Sequence, residues 1–216
     1  MKNAIDNLKT LTPAEAAVVA NVSLRDVNRT VDEKILPEGC YSGSERTRRF
    51  KADACLLIAF YFQAAHLLTS EERIRMIAKA SRHLQKYFKN AKKEWIVRDD
   101  FLSIDLKPFL TGVRERLTKL AKARARVVED PEILSGTPVI KGTRVPVYDI
   151  AACVSAGDTK ARILDGYPTI TGEDVDLAVL YARANPLRGR PPKSLLLPKG
   201  AVIVSHRRIP WRKQAS

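Results

Sequence analysis

The stretch LTPAEAAVVANVSLRDVNRTVDEKILPEG (Leu11–Gly39) decides the reading of the fold. Thr12, Pro13 and Glu15 form a capping box with proline at the first helical position, so a helix is predicted to about Ala20. Asn21-Val22 supplies a tight turn. Ser23 then caps a second helix, with Asp26 near its positive end, running to about Lys34 before Ile35-Leu36-Pro37. Helix, short turn, helix is a helix-turn-helix arrangement, although two short capped helices occur in many all-α domains. Pro37 to Ser44 carries Gly39 and Gly43, suited to a loop or wing, and Arg46, Arg48 and Arg49 follow. A third, apolar helix from about Ala52 to Leu68 would complete the core.

The same segment, over roughly the first fifty residues, resembles the N-terminal helix-turn-helix of MerR-type and excisionase-like regulators. That resemblance implies a second helix lying in the major groove and a wing on the backbone of operator double-stranded DNA. In its terms Ser23, Arg25, Asn28 and Arg29 meet base edges or phosphates, and Arg46, Arg48 and Arg49 meet phosphates.

Charge supports an anionic partner. Of 216 residues, 45% are hydrophobic, enough for a packed core, and the net charge is +14. Its distribution is uneven: +1 over residues 1–62, +8 over 63–124, −3 over 125–186 and +8 over 187–216, where no carboxylate occurs. No apolar run is long enough to span a bilayer and the N-terminus lacks a signal-peptide stretch. Cys40, Cys55 and Cys153 form no CxxC pair; Cys40 falls in a turn and the other two read as small buried hydrophobes. A reduced, cytoplasmic protein without membrane association is expected.

Thr69 and Glu72 make another capping box, opening a helix over 70–93 with Ile74, Ile77, Leu84 and Phe88 as its buried stripe. Arg75, Arg82, Lys86, Lys89 and Lys93 share its other face, either as solvated surface or as extra phosphate contacts. A further helix is predicted from Lys107 to about Arg124. Leu106, Leu110, Val113, Leu117 and Leu120 form a two-heptad seam that packs either on its own domain or on a second copy of the chain. A homodimer would suit an operator with two half-sites.

Beyond Arg126 the composition shifts. Arg126-Val127-Val128 reads as a short strand, and Thr137–Val147 as a hairpin turning at Lys141-Gly142, blunted by Pro138 and Pro146. Three helices follow, about Val147–Ser155, Thr159–Leu164 and Glu173–Arg183. The Gly136–Gly142 run is no phosphate loop, because no Lys-Ser or Lys-Thr follows the second glycine.

The strings SGTPVIKGTRVPVYDI (135–150) and AGDTKARILDGYPTITGEDVDLAVLYA (156–182) resemble the family labelled domain-of-unknown-function 433. Its motif is met by Gly136, Pro138, Ile140, Gly142, Thr143, Arg144 and Pro146, with Tyr167-Pro168 downstream. The resemblance implies a winged-helix or homeodomain-like unit and an antitoxin of the VapB type, which neutralises a PIN-domain ribonuclease toxin and represses its own operon. Either helix-turn-helix-like unit would then hold the DNA; the −3 charge of the second favours the first.

The tail begins Leu187-Arg188-Gly189-Arg190-Pro191-Pro192-Lys193. Arg-Gly-Arg-Pro is the core of a minor-groove hook, which carries the alternative reading of a plain DNA-binding transcription regulator. Leu196, Val202, Val204 and Trp211 are more apolar than a solvated tail retains, so they point to a partner surface or to a strand completing the chain's own fold. With the family resemblance, Arg188, Arg190, Lys193, Arg207 and Arg208 become toxin contacts, an arginine pairing with the carboxylates that hold the nuclease's Mg²⁺ or Mn²⁺.

No enzyme is expected. His66, His83 and His206 lack metal-ligand spacing, no GxSxG or Cys-His signature occurs, and no cofactor or metal motif is present. Asp99-Asp100 and Glu173-Asp174 read as loop or helix-start caps. The expected architecture is mainly α: a winged helix-turn-helix domain (1–68), a helical linker or dimerisation region (69–124), a small α-rich winged-helix or homeodomain-like domain with a short β-hairpin (125–186) and a basic toxin-binding tail (187–216).

Overall fold

A computed structural model describes residues 8–89 and 94–187. Strand β1 (Thr10–Leu11) leads into α1 (Pro13–Ala20), whose capping box is closed in both directions: Glu15 N–H to Thr12 Oγ1 at 3.2 Å and Thr12 N–H to Glu15 Oε2 at 2.8 Å. Asn21 ends the helix in the left-handed conformation (φ 57°), its N–H reaching the Ala17 and Val18 carbonyls, which makes so short a turn possible. Helix α2 (Leu24–Asp32) starts at the Ser23–Asp26 box and stops two residues short of the predicted end, where Lys34 turns left-handed.

Strands β2 (Tyr41–Ser42) and β3 (Arg49–Lys51) then form a sheet ordered β1-β3-β2, all antiparallel, with Leu11 and Tyr41 flanking Phe50. Gly43 (φ +85°) turns the β2–β3 connection, and a Cβ built there would lie 2.6 Å from the Thr47 carbonyl oxygen. Gly43→Ala is therefore expected to cost about 1 kcal/mol or more and to displace the 43–48 turn, seen as lost amide protection of Thr47 and neighbours by hydrogen exchange. An unchanged exchange pattern would contradict it.

Helix α3 (Ala54–Gln63) is apolar all round and buried from Ala54 to Tyr61, as a central helix must be. It gives way to a single 3-10 turn (Ala64–His66), so the predicted helix over 52–68 is shorter than expected. The helix expected over 70–93 is two: α4 (Ser70–Ser81) and α5 (Leu84–Lys89). At the break the ladder tightens to His83 N–H on the Ala80 carbonyl, turning α5 so that Tyr87 stacks on the buried Trp95 ring at 4.8 Å. The buried stripe is Met76, Ile77, Ala80 and Leu84; Ile74 is exposed and Phe88 half-buried. Consequently Arg75 on α4, Arg82 at the break and Lys86 and Lys89 on α5 do not share one continuous helical face, and Lys93 lies outside the described residues.

Next comes a hairpin that sequence reading did not anticipate: β4 (Ile96–Asp99) and β5 (Leu102–Asp105), turning at Asp100-Phe101 with Asp100 left-handed (φ 50°). Asp99, expected in a loop, ends β4 almost buried and ion-paired to Arg75 (3.0 Å) and Lys79. Those contacts hold its carboxyl below the usual carboxylate range.

Helix α6 (Lys107–Arg126) runs for 20 residues, about 30 Å at 1.5 Å each. Its seam residues Leu106, Leu110, Val113, Leu117 and Leu120 are all within 1% of complete burial, inside one apolar cluster with α1, α3 and α4. The seam is therefore spent within the chain, and a dimer would need another surface. Beyond it, β6 (Val127–Val128) pairs antiparallel with β7 (Val139–Ile140). The predicted turn at Lys141-Gly142 forms, with Thr143 N–H on the Ile140 carbonyl and Gly142 at φ +81°, but its second arm contributes only the bridge Val139↔Pro146. Ile140 N–H on the Val145 carbonyl and Val147 N–H on the Pro138 carbonyl flank that bridge, so Pro146 needs no N–H there, and it caps the next helix.

Helices α7 (Val147–Ser155), α8 (Lys160–Gly166) and α9 (Gly172–Ala184) close a second cluster around Ile140, Ile150, Ile163 and Val175. Ala123 of α6 belongs to it, while Ala184 of α9 belongs to the first, so two helices run between the cores. Among the described residues the molecule is thus mainly α with small two- and three-stranded sheets. Cys153 is half-buried rather than buried, whereas Cys40 and Cys55 are inside. No described helix is long and apolar enough to cross a membrane.

Candidate nucleic-acid interface

Helix α2 and the 43–48 turn supply the candidate surface, and α1 holds α2 in place. α1 is only 8 residues long, too short to be stable alone, and α6 clamps it at both ends. Arg116 donates from Nε to the Val19 carbonyl at 2.6 Å, a cation at the negative end of the helix, and Gly112 leaves room for its guanidinium. Eight residues on, Arg124 Nε donates to Glu15 Oε1 at 2.9 Å, where Glu15 is 1% exposed. Eight residues of α6 cover about 12 Å, the length of α1 itself. Neither contact is readable from local sequence, since each joins residues about a hundred positions apart.

The seven predicted DNA contacts sort into three groups. Arg25 and Arg46 are exposed, with no carboxylate within ion-pair distance among the described residues. Ser23, Asn28, Arg29 and Arg48 are engaged within the protein. Ser23 caps α2; Arg29 pairs with Glu33 at 2.8 Å, both about half exposed; Arg48 is 9% exposed and pairs with Asp32 at 3.1 Å while reaching Asn28 Oδ1 at 3.5 Å. Arg48 thus pins the turn onto α2 rather than presenting a free guanidinium. Arg49 forms the third group. Side chains alternate along a strand, so Arg49 and Lys51 point away from Phe50 and from Arg48. Arg49 lines a cleft of about 480 Å³ with Glu15, Arg124, Glu129 and Tyr181 on the opposite side of the sheet.

The surface around α2 is also less basic than composition suggested: Asp26, Asp32 and Glu33 accompany Arg25 and Arg29 on the same short helix and its end. Leu24 is 44% exposed at the start of α2, and an exposed leucine at the N-terminal turn is an apolar contact of the kind that thymine methyls accept.

In the C-terminal unit, Thr143 Oγ1 donates to the Ile140 carbonyl at 2.8 Å and accepts from Val145 N–H at 3.1 Å, so the threonine of the Gly-Thr-Arg string shapes the turn. Arg144 beside it is exposed. Glu173-Asp174 does sit at a helix start: Thr171 and Asp174 cap α9 reciprocally, and Arg126 forks onto Asp174, Nη2 to Oδ2 at 3.0 Å. Asp174 is 3% exposed, and Arg126 together with the Thr171 hydrogen bonds draws its carboxyl down to about 2. His66 and His83 are both exposed. All nine predicted toxin contacts, Arg188, Arg190, Lys193, Leu196, Val202, Val204, Arg207, Arg208 and Trp211, lie outside the described residues, as does His206.

Comparison with known proteins agrees with the C-terminal motif. Residues 127–182 match the family described as protein of unknown function (DUF433), so this chain carries a DUF433 domain. Over nearly its whole length it is similar to the uncharacterized protein y4eO of Sinorhizobium fredii (strain NBRC 101917 / NGR234), 50% identical over 209 residues and covering 94% of both chains. The chain belongs to the y4eO family. Among solved structures, Rv2018 from Mycobacterium tuberculosis is similar at a TM-score of 0.37 and 18% identity, over 78% of this chain and 96% of that one.

Proposed function

We propose that this protein is a DNA-binding antitoxin. Its N-terminal unit reads operator DNA as a winged helix-turn-helix of the MerR-like kind, and its basic tail neutralises a PIN-domain ribonuclease in the cytoplasm. The observation that carries the DNA half is the pinning of the 43–48 turn to α2 by Arg48, which fixes a helix and a wing as one rigid element carrying the unpaired cations Arg25 and Arg46. A preorganised helix-plus-wing surface spends no binding energy on ordering itself. Asp32 and Asn28 are then positioning residues, and Arg29 reaches DNA by leaving Glu33, an exposed pair worth little in water.

The toxin half rests on the family resemblance together with the carboxylate-free +8 tail. Operator reading by a homodimer places the second copy away from the α6 seam, which is already filled.

The test is fluorescence anisotropy with duplex DNA from upstream of the gene. Arg25→Ala with Arg46→Ala should weaken operator binding about 100-fold, at about 1–3 kcal/mol per lost contact, and flatten the salt dependence. Arg49→Ala, facing the other side, should leave it within about threefold. Equal losses in both variants would remove α2 and the turn as the DNA surface. Binding that survives both, and that disappears when Arg188 and Arg190 are replaced, would favour the minor-groove hook.

A further inference from the structure

A cleft of about 640 Å³ opens between β1, β3, α5 and α6, and no residue of α2 lines it. Four cations line it, Lys9, Lys51, Lys89 and Arg114, and among the described residues none has a carboxylate within ion-pair distance. In their midst is Asp53, between β3 and α3. It closes no cap hydrogen bond, and its Oδ1 is the one buried side-chain oxygen without a hydrogen-bond partner among the described residues. Burial, the largest influence on it, raises the Asp53 carboxyl above its ordinary value. The apolar wall is formed by Leu8, Ala52 and the half-buried Phe88, whose ring has the Arg114 guanidinium 5.9 Å from its centroid. A second cleft of about 470 Å³ adjoins the first, sharing Lys51, Asp53 and Gln85.

Arg114 Nη1 donates to the Phe88 carbonyl, which leaves the three lysines to call for an anion, and a buried acceptor without a donor costs about 1–3 kcal/mol until one arrives. An aromatic ring beside them offers a stacking platform. The protein's own tail has the same sign of charge as this cleft and does not complement it. A ligand that meets all three demands carries phosphate, a hydroxyl or amine donor, and a flat ring. We propose that the cleft binds a nucleotide unit, phosphate on Lys9, Lys51 and Lys89, base against Phe88, and a ribose hydroxyl or exocyclic amine donating to Asp53 Oδ1. This holds whether or not the protein is an antitoxin, because none of these residues belongs to the α2 surface or to the tail.

Isothermal titration calorimetry on the full chain tests it, with ATP, a short single-stranded oligoribonucleotide and pyrophosphate as probes. ATP or the oligoribonucleotide should bind saturably. Equal affinity for both assigns the site to a free nucleotide, and binding of the oligomer alone to a unit within a strand. Asp53→Ala, which removes both carboxylate oxygens, should weaken that binding about tenfold and leave pyrophosphate unaffected, with circular dichroism checking that the fold is kept. Lys51→Ala with Lys89→Ala should weaken all phosphate-bearing probes by about tenfold or more and lower the salt slope. No saturable binding of either nucleotide probe at millimolar concentration overturns the proposal. So does nucleotide binding that Asp53→Ala leaves intact, which would reduce the cleft to an unspecific anion site.

Discussion

If the proposed function holds, removing residues 187–216 is expected to abolish inhibition of a PIN-domain ribonuclease, with affinity falling by about 1000-fold or more, while sequence-specific operator binding persists. The size follows from what the tail holds. Its five arginines and Trp211 are the residue types that dominate interface energies, losing several kcal/mol each when truncated, while its leucines and valines add apolar area. The described part of the protein ends its second core at Tyr181 and its first at Ala184, so a cut at 186 leaves every buried described residue in place. Any non-specific DNA affinity should fall in part too, since eight positive charges leave with the tail, and that part is recognisable by its salt dependence. The measurement is a nuclease titration with the product of the neighbouring gene, comparing full-length and shortened chains. Full inhibition by the shortened chain would falsify the assignment of the tail as the neutralising element.

Replacing Asp174 by alanine is expected to lower stability by about 2 kcal/mol near neutral pH, or a melting temperature lower by about 6 °C for a chain of this size. The carboxylate is 3% exposed and serves two partners at once, the start of α9 through Thr171 and the fork of Arg126. Loss of a buried partner alone would cost more, but Arg126 is 39% exposed and water reclaims part of its charge. The pH dependence has a definite sign. Folding depresses the Asp174 carboxyl to about 2, so its contribution is complete above the unfolded value of about 4 and is lost as pH falls through 2. Thermal melts of the wild type and Asp174→Ala should therefore differ at pH 7 and converge near pH 2. A gap that stays constant with pH would assign the loss to packing instead.

The helix starts were legible because a capping box is local: Thr12–Glu15, Ser23–Asp26, Thr69–Glu72 and Thr171–Asp174 each close within three residues. The β4–β5 hairpin was not legible, because its turn, Asp100-Phe101, has no glycine. Asp100 takes the left-handed conformation that a glycine would have advertised. The seam on α6 showed which face is buried but not against what, since periodicity carries no information about the partner. The interface was legible only as a set of cations. Arg48 and Arg49 are neighbours in sequence, yet strand alternation sends one to α2 and the other to the far side of the sheet. Whether a guanidinium is free or held depends on Asp32, Glu15 or Asp174, each far away along the chain, or, for Arg29, on Glu33 one helical turn on. Asp53 gave no signal at all: an unsatisfied oxygen is a property of the packed chain.

The DUF433 unit is joined to the rest by no linker. Helix α6 enters it without a break, Leu120 in one core and Ala123 in the next, and α9 returns the other way to leave Ala184 in the first. Urea should accordingly melt the described chain in one transition, and a protease should find no site between the two that frees an intact half. A chimera that grafts this DUF433 unit onto a foreign domain would have to bring the far half of α6 and its apolar covering with it.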